Sequence, residues 1–117
     1  MGSLREWLDT QELSEESVVI SGRQFLCVEI DLAERGRLFA SFPDKDKLTD
    51  GAVEGLMLCR CVLDPDTRQQ VVETSEWKYW QSRGAKFGRL LSTVLRINGL
   101  TSDAVGTEVK NSEATTA

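Results

Sequence analysis

The strongest pattern along the chain is a helical stripe in its last third. Between Gly84 and Leu100 the apolar residues Phe87, Leu90, Leu91, Val94 and Leu95 recur at i, i+3, i+4, i+7 and i+8, the spacing of one buried helix face. Lys86, Arg89, Ser92, Thr93 and Arg96 take the positions between them and are expected to face water. Full burial of the five apolar side chains is worth roughly 8–15 kcal/mol gross, an upper bound at ~1.5–3 each. The helix end is equally marked. Asn98 is placed as C-cap, Gly99 in the left-handed position after it, and Leu100 where it can fold back onto Leu95. Arg96 in the last turn suits the negative end of the helix dipole. No other segment offers as much apolar surface on one face, so this helix is the expected spine of the core.

The remaining elements follow from cap and turn signals. Ser3-Leu-Arg-Glu6 is a capping box opening a short helix over residues 4–10, with Leu4, Trp7 and Leu8 along one edge. The polar run from Thr10 to Ser17 reads as a connection anchored by Leu13. Residues 17–30 read as a hairpin, with Gly22-Arg23 as a two-residue type II′ loop. That loop pairs Ile20 with Phe25 and Val18 with Cys27 on one face, and puts Val19, Leu26, Val28 and Ile30 on the other. Both faces are therefore largely apolar. Either both are covered within the domain or one is left for a partner.

Asp31 caps a second helix carrying Leu32, Leu38, Phe39 and Phe42, weakened by Gly36 and stopped by Pro43. Pro43 to Asp50 is a charged loop. A third helix is expected from about Asp50 to Cys61, apolar over much of its circumference, followed by an Asp64-Pro-Asp-Thr67 turn and an extended Gln69–Val72 piece. Thr74 is placed as the cap of a fourth helix, with Glu76 near its positive end and Trp77 and Trp80 three apart on one face. An aromatic pair at this spacing is either core or a ligand platform. After Leu100, Thr101-Ser102-Asp103 can cap a last short helix holding Ala104, Val105 and Val109. Residues 110–117 have nothing to bury and read as a disordered tail. The expected fold is mainly α with one small β-hairpin (α+β): about five helices in one domain over residues 1–109, the hairpin at 17–30, and the tail at 110–117.

Composition narrows the function classes. The 117 residues are 40% hydrophobic and 28% charged with a net charge of −5, a globular balance sufficient for one modest core. The acidity and the pI near 4.8 weigh against sequence-independent nucleic-acid binding and against docking on anionic membranes. No apolar run approaches the ~20 residues of a membrane span. Arg5, Glu6 and Trp7 interrupt the apolar start as no signal peptide would, so a cytoplasmic location is expected. The chain has no histidine, which removes the usual general base and the commonest metal ligand. There is no P-loop, G-x-G-x-x-G or H-E-x-x-H. Cys27, Cys59 and Cys61 are one ligand short of a closed zinc site and read as small buried hydrophobes. Asp31, Asp64 and Asp66 all have capping or turn roles. No enzyme activity and no cofactor or metal are expected, so function is expected to lie in surfaces.

One region carries a resemblance. Leu95-Arg-Ile-Asn-Gly-Leu-Thr-Ser-Asp-Ala-Val105, followed by Lys110-Asn-Ser112, resembles the phage tail assembly chaperones of long non-contractile-tailed, lambda-like phages. Three further parts stand in that family's order: a hairpin followed by an acidic-capped helix (Val28 to Phe39), a cysteine-containing helix running into Val-Leu-Asp-Pro-Asp (Cys59 to Asp66), and an acidic helix start (Thr74 to Trp77).

The resemblance implies a helical, non-enzymatic protein of the host cell cytoplasm, absent from the finished virion. Such a protein keeps the tape-measure protein soluble, recruits tail-tube subunits and self-associates, and is often also made in a longer, frameshifted form that here would diverge after Val109. Head-to-tail contacts would give rings or helical filaments. No nucleic-acid or membrane partner is implied. The hairpin residues Val18, Ile20 and Phe25 and the aromatic residues Trp77 and Trp80 are the candidate partner contacts, since tryptophan is favoured at binding hot spots. A small acidic regulator or inhibitor, binding one partner as monomer or dimer, is the competing reading.

Overall fold

The C-terminal stripe forms the expected helix, and the chain is arranged around its end. The computed structural model describes residues 3–41 and 50–100. Within them, α1 (Leu4–Asp9) leads to a hairpin of β1 (Glu15–Ile20) and β2 (Arg23–Val28). Then come α2 (Leu32–Ala40), α3 (Asp50–Cys61), the two-residue β3 (Val62–Leu63), α4 (Lys78–Gln81) and α5 (Gly88–Ile97). The fold is mainly helical α+β, with a three-stranded antiparallel sheet in the order β1-β2-β3. The expected charged loop from Pro43, the last short helix after Leu100 and the tail at 110–117 lie outside the described residues.

α5 buries Leu90, Val94 and Leu95 and leaves Arg89, Ser92 and Arg96 in water. Phe87 belongs instead to a 3₁₀ turn at Ala85–Phe87 that leads into the helix. The helix closes as its sequence indicates. Gly99 takes φ +74°, its N–H donates to Arg96 O at 3.1 Å, and Leu100 N donates to Leu95 O at 2.6 Å. These are the two bonds of a Schellman cap, and Leu100 is buried beneath them.

The hairpin turns one residue earlier than expected. Ser21 and Gly22, not Gly22 and Arg23, form the loop, with φ +51° and +78°. Positive φ at both positions is a type I′ turn, whose twist matches the strands. The register becomes Ile20 opposite Arg23, Val18 opposite Phe25 and Glu16 opposite Cys27. Pairing thus shifts by two residues overall, and because side chains alternate with period two no residue changes face. Val18, Ile20, Phe25 and Cys27 still share one side. α5 packs against β1 and β2, and Phe87 meets Phe25 edge to face at 6.4 Å.

The third strand was not foreseen. Val62 and Leu63 pair with Cys27 and Leu26, and the Asp64–Thr67 turn brings Gln70 back beside Leu63. Asp64 Oδ1 accepts from Asp66 N at 2.8 Å and holds that turn. Two residues are too few to show an alternating pattern, and the helix expected from about Asp50 stops just before them, at Cys61.

α3 runs through the middle, in contact with α2, α4, α5, β2 and β3. Ala52, Val53, Leu56, Met57, Leu58, Cys59 and Cys61 are all buried. Gly55 admits a close neighbour: a Cβ built there would lie 2.9 Å from both the carbonyl oxygen and the ring Cε3 of Trp77. Thr74 is not the cap it was expected to be. It lies inside a 3₁₀ turn at Thr74–Glu76, and its hydroxyl accepts from Gln70 Nε2 at 3.1 Å.

Asn98, expected only as a C-cap, is 5% exposed. Its Oδ1 accepts from Ile30 N at 2.9 Å, and its Nδ2 donates to Val94 O at 2.8 Å and Val28 O at 3.2 Å, with Cys61 Sγ at 3.8 Å. One amide joins the end of α5 to the strand exit from β2.

Asn98→Ala strands the Ile30 N–H and the Val28 carbonyl, and is expected to lower unfolding stability by about 2–4 kcal/mol in a urea titration. Gly55→Ala is expected to cost about 1–3 kcal/mol, because a backbone oxygen cannot move aside as a side chain can; the same titration reads it.

Candidate partner-binding surface

The contact residues expected from the sequence are mostly spent on the core. Val18, Ile20 and Trp80 are buried, and Phe25 and Trp77 are half-buried and packed against the same cluster. Val18 and Ile20 lie on the sheet face toward α5, Trp77 covers Gly55, and Trp80 is buried with its indole Nε1 left without a hydrogen-bond partner. These five residues do not come together as an exposed surface.

The exposed apolar residues lie elsewhere. In α1, Ser3 Oγ caps Glu6 N at 3.2 Å, and Arg5 pairs with Asp9 at 3.4 Å. No residue of this helix is buried. Its apolar edge is open to solvent, with Leu4, Trp7 and Leu8 exposed to 81%, 58% and 57%. Leu13 follows at 53% and Leu32, the first residue of α2, at 78%. Leu13 and Leu32 line a shallow groove of about 590 Å³ together with Ile30, Ile97, Arg35 and Arg96. Two of these elements are fixed by the Asn98 amide: Ile30 through its N–H, and Ile97 by preceding the cap. The Arg35 guanidinium donates through Nη2 to Asn98 O, while its buried Nε has no hydrogen-bond partner. The sequence did identify the α1 edge; what it lacked was any sign that the edge stays uncovered.

The chain matches no protein-family model, and no curated protein or solved structure shows significant similarity to it. The surface must therefore be read from its own chemistry.

The three thiols are not poised as nucleophiles. Burial pushes the thiols of Cys27 and Cys59 up to about 11 and that of Cys61 to about 12. All three stay protonated at neutral pH, and the thiolate is the reactive form. Among the described residues no three side chains of the His, Cys, Asp and Glu types are grouped to hold a metal ion. Three carboxylates, those of Glu15, Glu16 and Glu34, are each engaged with an arginine distant in sequence. Glu34 takes Arg60 at 2.7 Å and Arg37 at 2.6 Å, Glu15 takes Arg68 and Glu16 takes Arg96. Arg60 and Arg37 hold the Glu34 carboxyl below its usual range, as Arg68 does for Glu15.

A disulfide-exchange thiol reagent at pH 8 is expected to label none of the three cysteines in the folded protein and all three in urea, read by released chromophore. The unfolded thiols ionise near 9 and the folded ones two or three units higher. Their contribution to stability is therefore complete below pH 9 and lost as pH rises toward 11–12. The urea midpoint is expected to fall between pH 8 and pH 10.

Proposed function

We infer that this chain is a non-catalytic binding protein that acts as a phage tail assembly chaperone. It holds the long, helical tape-measure protein in solution, associates with its own copies and recruits tail-tube subunits in the host cytoplasm. The observation that carries the reading is the uncovered apolar edge of α1, continued by Leu13 and Leu32, on a body whose thiols are protonated and buried. Large exposed apolar residues collected on one segment mark interaction sites, and a helical, apolar client is captured through helix-on-groove contacts. The four-part sequence resemblance supplies the identity of the client.

The competing reading, an acidic inhibitor that mimics nucleic acid, needs a run of unpaired carboxylates. Glu15, Glu16 and Glu34 instead face arginines, so the net charge of −5 is not presented as a field of one sign on this part of the surface.

Co-expression with the tape-measure protein of its own source genome tests the reading. The tape-measure protein is expected in the soluble fraction and to co-purify with this chain. An equal amount of insoluble tape-measure protein with and without the chain would refute it.

A further inference from the structure

The basic residues of this acidic chain are unevenly placed. Between Trp77 and Leu100 stand Lys78, Arg83, Lys86, Arg89 and Arg96, and all 19 acidic residues lie outside that stretch. The fold sorts the cations further. Arg5, Arg37, Arg60, Arg68 and Arg96 each meet a carboxylate. Lys78, Arg83, Lys86 and Arg89 are exposed and meet none among the described residues, and neither does Arg23 beside the hairpin loop.

Packing of α5 on the hairpin brings these unpaired cations together. Arg89 Nη1 donates to Val19 O at 3.1 Å, two residues from the hairpin loop. Arg23 alternates onto the same face as Phe25, and Phe25 meets Phe87 with ring centres 6.4 Å apart. Lys86 immediately precedes Phe87, and Arg83 stands three residues before Lys86. The carboxylates of β1 sit at its other end, where Arg68 and Arg96 hold Glu15 and Glu16. Three of the cations are also held over rings. Lys78 lies 5.5 Å from the Trp77 ring centre, Arg83 4.4 Å from that of Tyr79, and Lys86 5.5 Å from that of Phe87. A cation resting on a ring has already lost part of its freedom, so pairing it with a carboxylate costs less ordering.

We propose that this cationic face, centred on Arg23, Arg83, Lys86 and Arg89, binds an acidic segment of a partner protein. It is chemically distinct from the apolar edge of α1, and it does not rest on the tape-measure reading. Two observations favour carboxylates over nucleic acid. Single strands are held by stacking bases on open aromatic rings, whereas here the rings of Trp77, Tyr79 and Phe87 carry the chain's own cations, and Trp77 and Phe87 are half-buried. A nucleic acid is also charged along its whole length, so it would run on over a body that is otherwise acidic. A short acidic segment meets the basic face alone.

Fluorescence anisotropy of a labelled decaglutamate, titrated at low salt with the purified full chain, tests this. Saturable one-to-one binding is expected, and added salt is expected to abolish it. Arg83→Gln with Lys86→Gln is expected to weaken binding about fivefold or more. Both side chains are exposed and touch only residues within four positions of themselves, so circular dichroism and melting are expected to be unchanged. Arg5→Gln with Arg37→Gln removes the same charge elsewhere and is expected to change binding by less than about twofold. Arg23→Gln alone is expected to weaken binding in the same direction as the first pair, since the hairpin belongs to the face.

Absence of saturable binding overturns the proposal. An equal loss in the two pairs also overturns it, because the peptide would then be responding to net charge alone. Tighter binding of an oligothymidylate of the same length would assign the face to nucleic acid instead. Solubility of the tape-measure protein is read separately, so each of these failures leaves the proposed function in place.

Discussion

The buried carboxamide of Asn98 is the joint on which the rest of the arrangement depends. A side-chain amide taken out of water must find partners for its oxygen and its N–H groups, or it costs more than the packing around it returns. Here those partners come from two distant parts of the chain: Val94 one turn back in α5, and Val28 and Ile30 where the chain leaves β2. The requirement fixes the distance and rotation of α5 against the sheet more tightly than apolar packing can, since apolar contacts lack direction. It also fixes where α2 starts, because Asp31, the cap that accepts from Glu34 N, is the next residue after Ile30.

Around that joint the core is assembled from unusually small parts. Three thiols, from Cys27, Cys59 and Cys61, are fully buried, and Gly55 lets Trp77 come down onto the helix. Small side chains in the central helix permit close approach on several sides at once, which is how a 117-residue chain surrounds α3 with four other elements and a sheet edge. The same economy explains the fate of the aromatic residues. Trp80, Trp77, Phe25 and Phe87 fill the spaces that small residues leave, and so are unavailable for a partner. The most exposed large apolar residues, Leu4, Leu32, Trp7, Leu8 and Leu13, lie outside this assembly.

The relation between core and surface gives the functional reading its physical basis. Glu15, Glu16 and Glu34 are tied to arginines distant in sequence, the thiols are held protonated by burial, and apolar contact area stays exposed on α1, Leu13 and Leu32. Exposed ion pairs of this kind add little to stability.

Sequence by itself determined the elements whose signals are local. The α5 stripe, its Asn98-Gly99-Leu100 ending, the caps at Ser3 and Asp31, the span of α3 and the two apolar faces of the hairpin are all legible, because each depends on residues within a turn or two of one another. Even the misplaced hairpin loop left every side chain on its proper face, since alternation survives a shift of two. Tertiary structure alone decided the rest. β3 exists only because β2 offers it an edge, and the Thr74 hydroxyl accepts from Gln70 Nε2 once the turn brings them together. Asn98 is an ordinary C-cap in the sequence and the central joint in the fold, because its partners lie 68 and 70 residues away. Which apolar residues are buried and which stay exposed was likewise beyond local pattern: Leu4, Trp7 and Leu8 look like core, and Trp77 and Trp80 look no more buried than they do. Burial is set by what lands against a face, and that is a property of the whole chain.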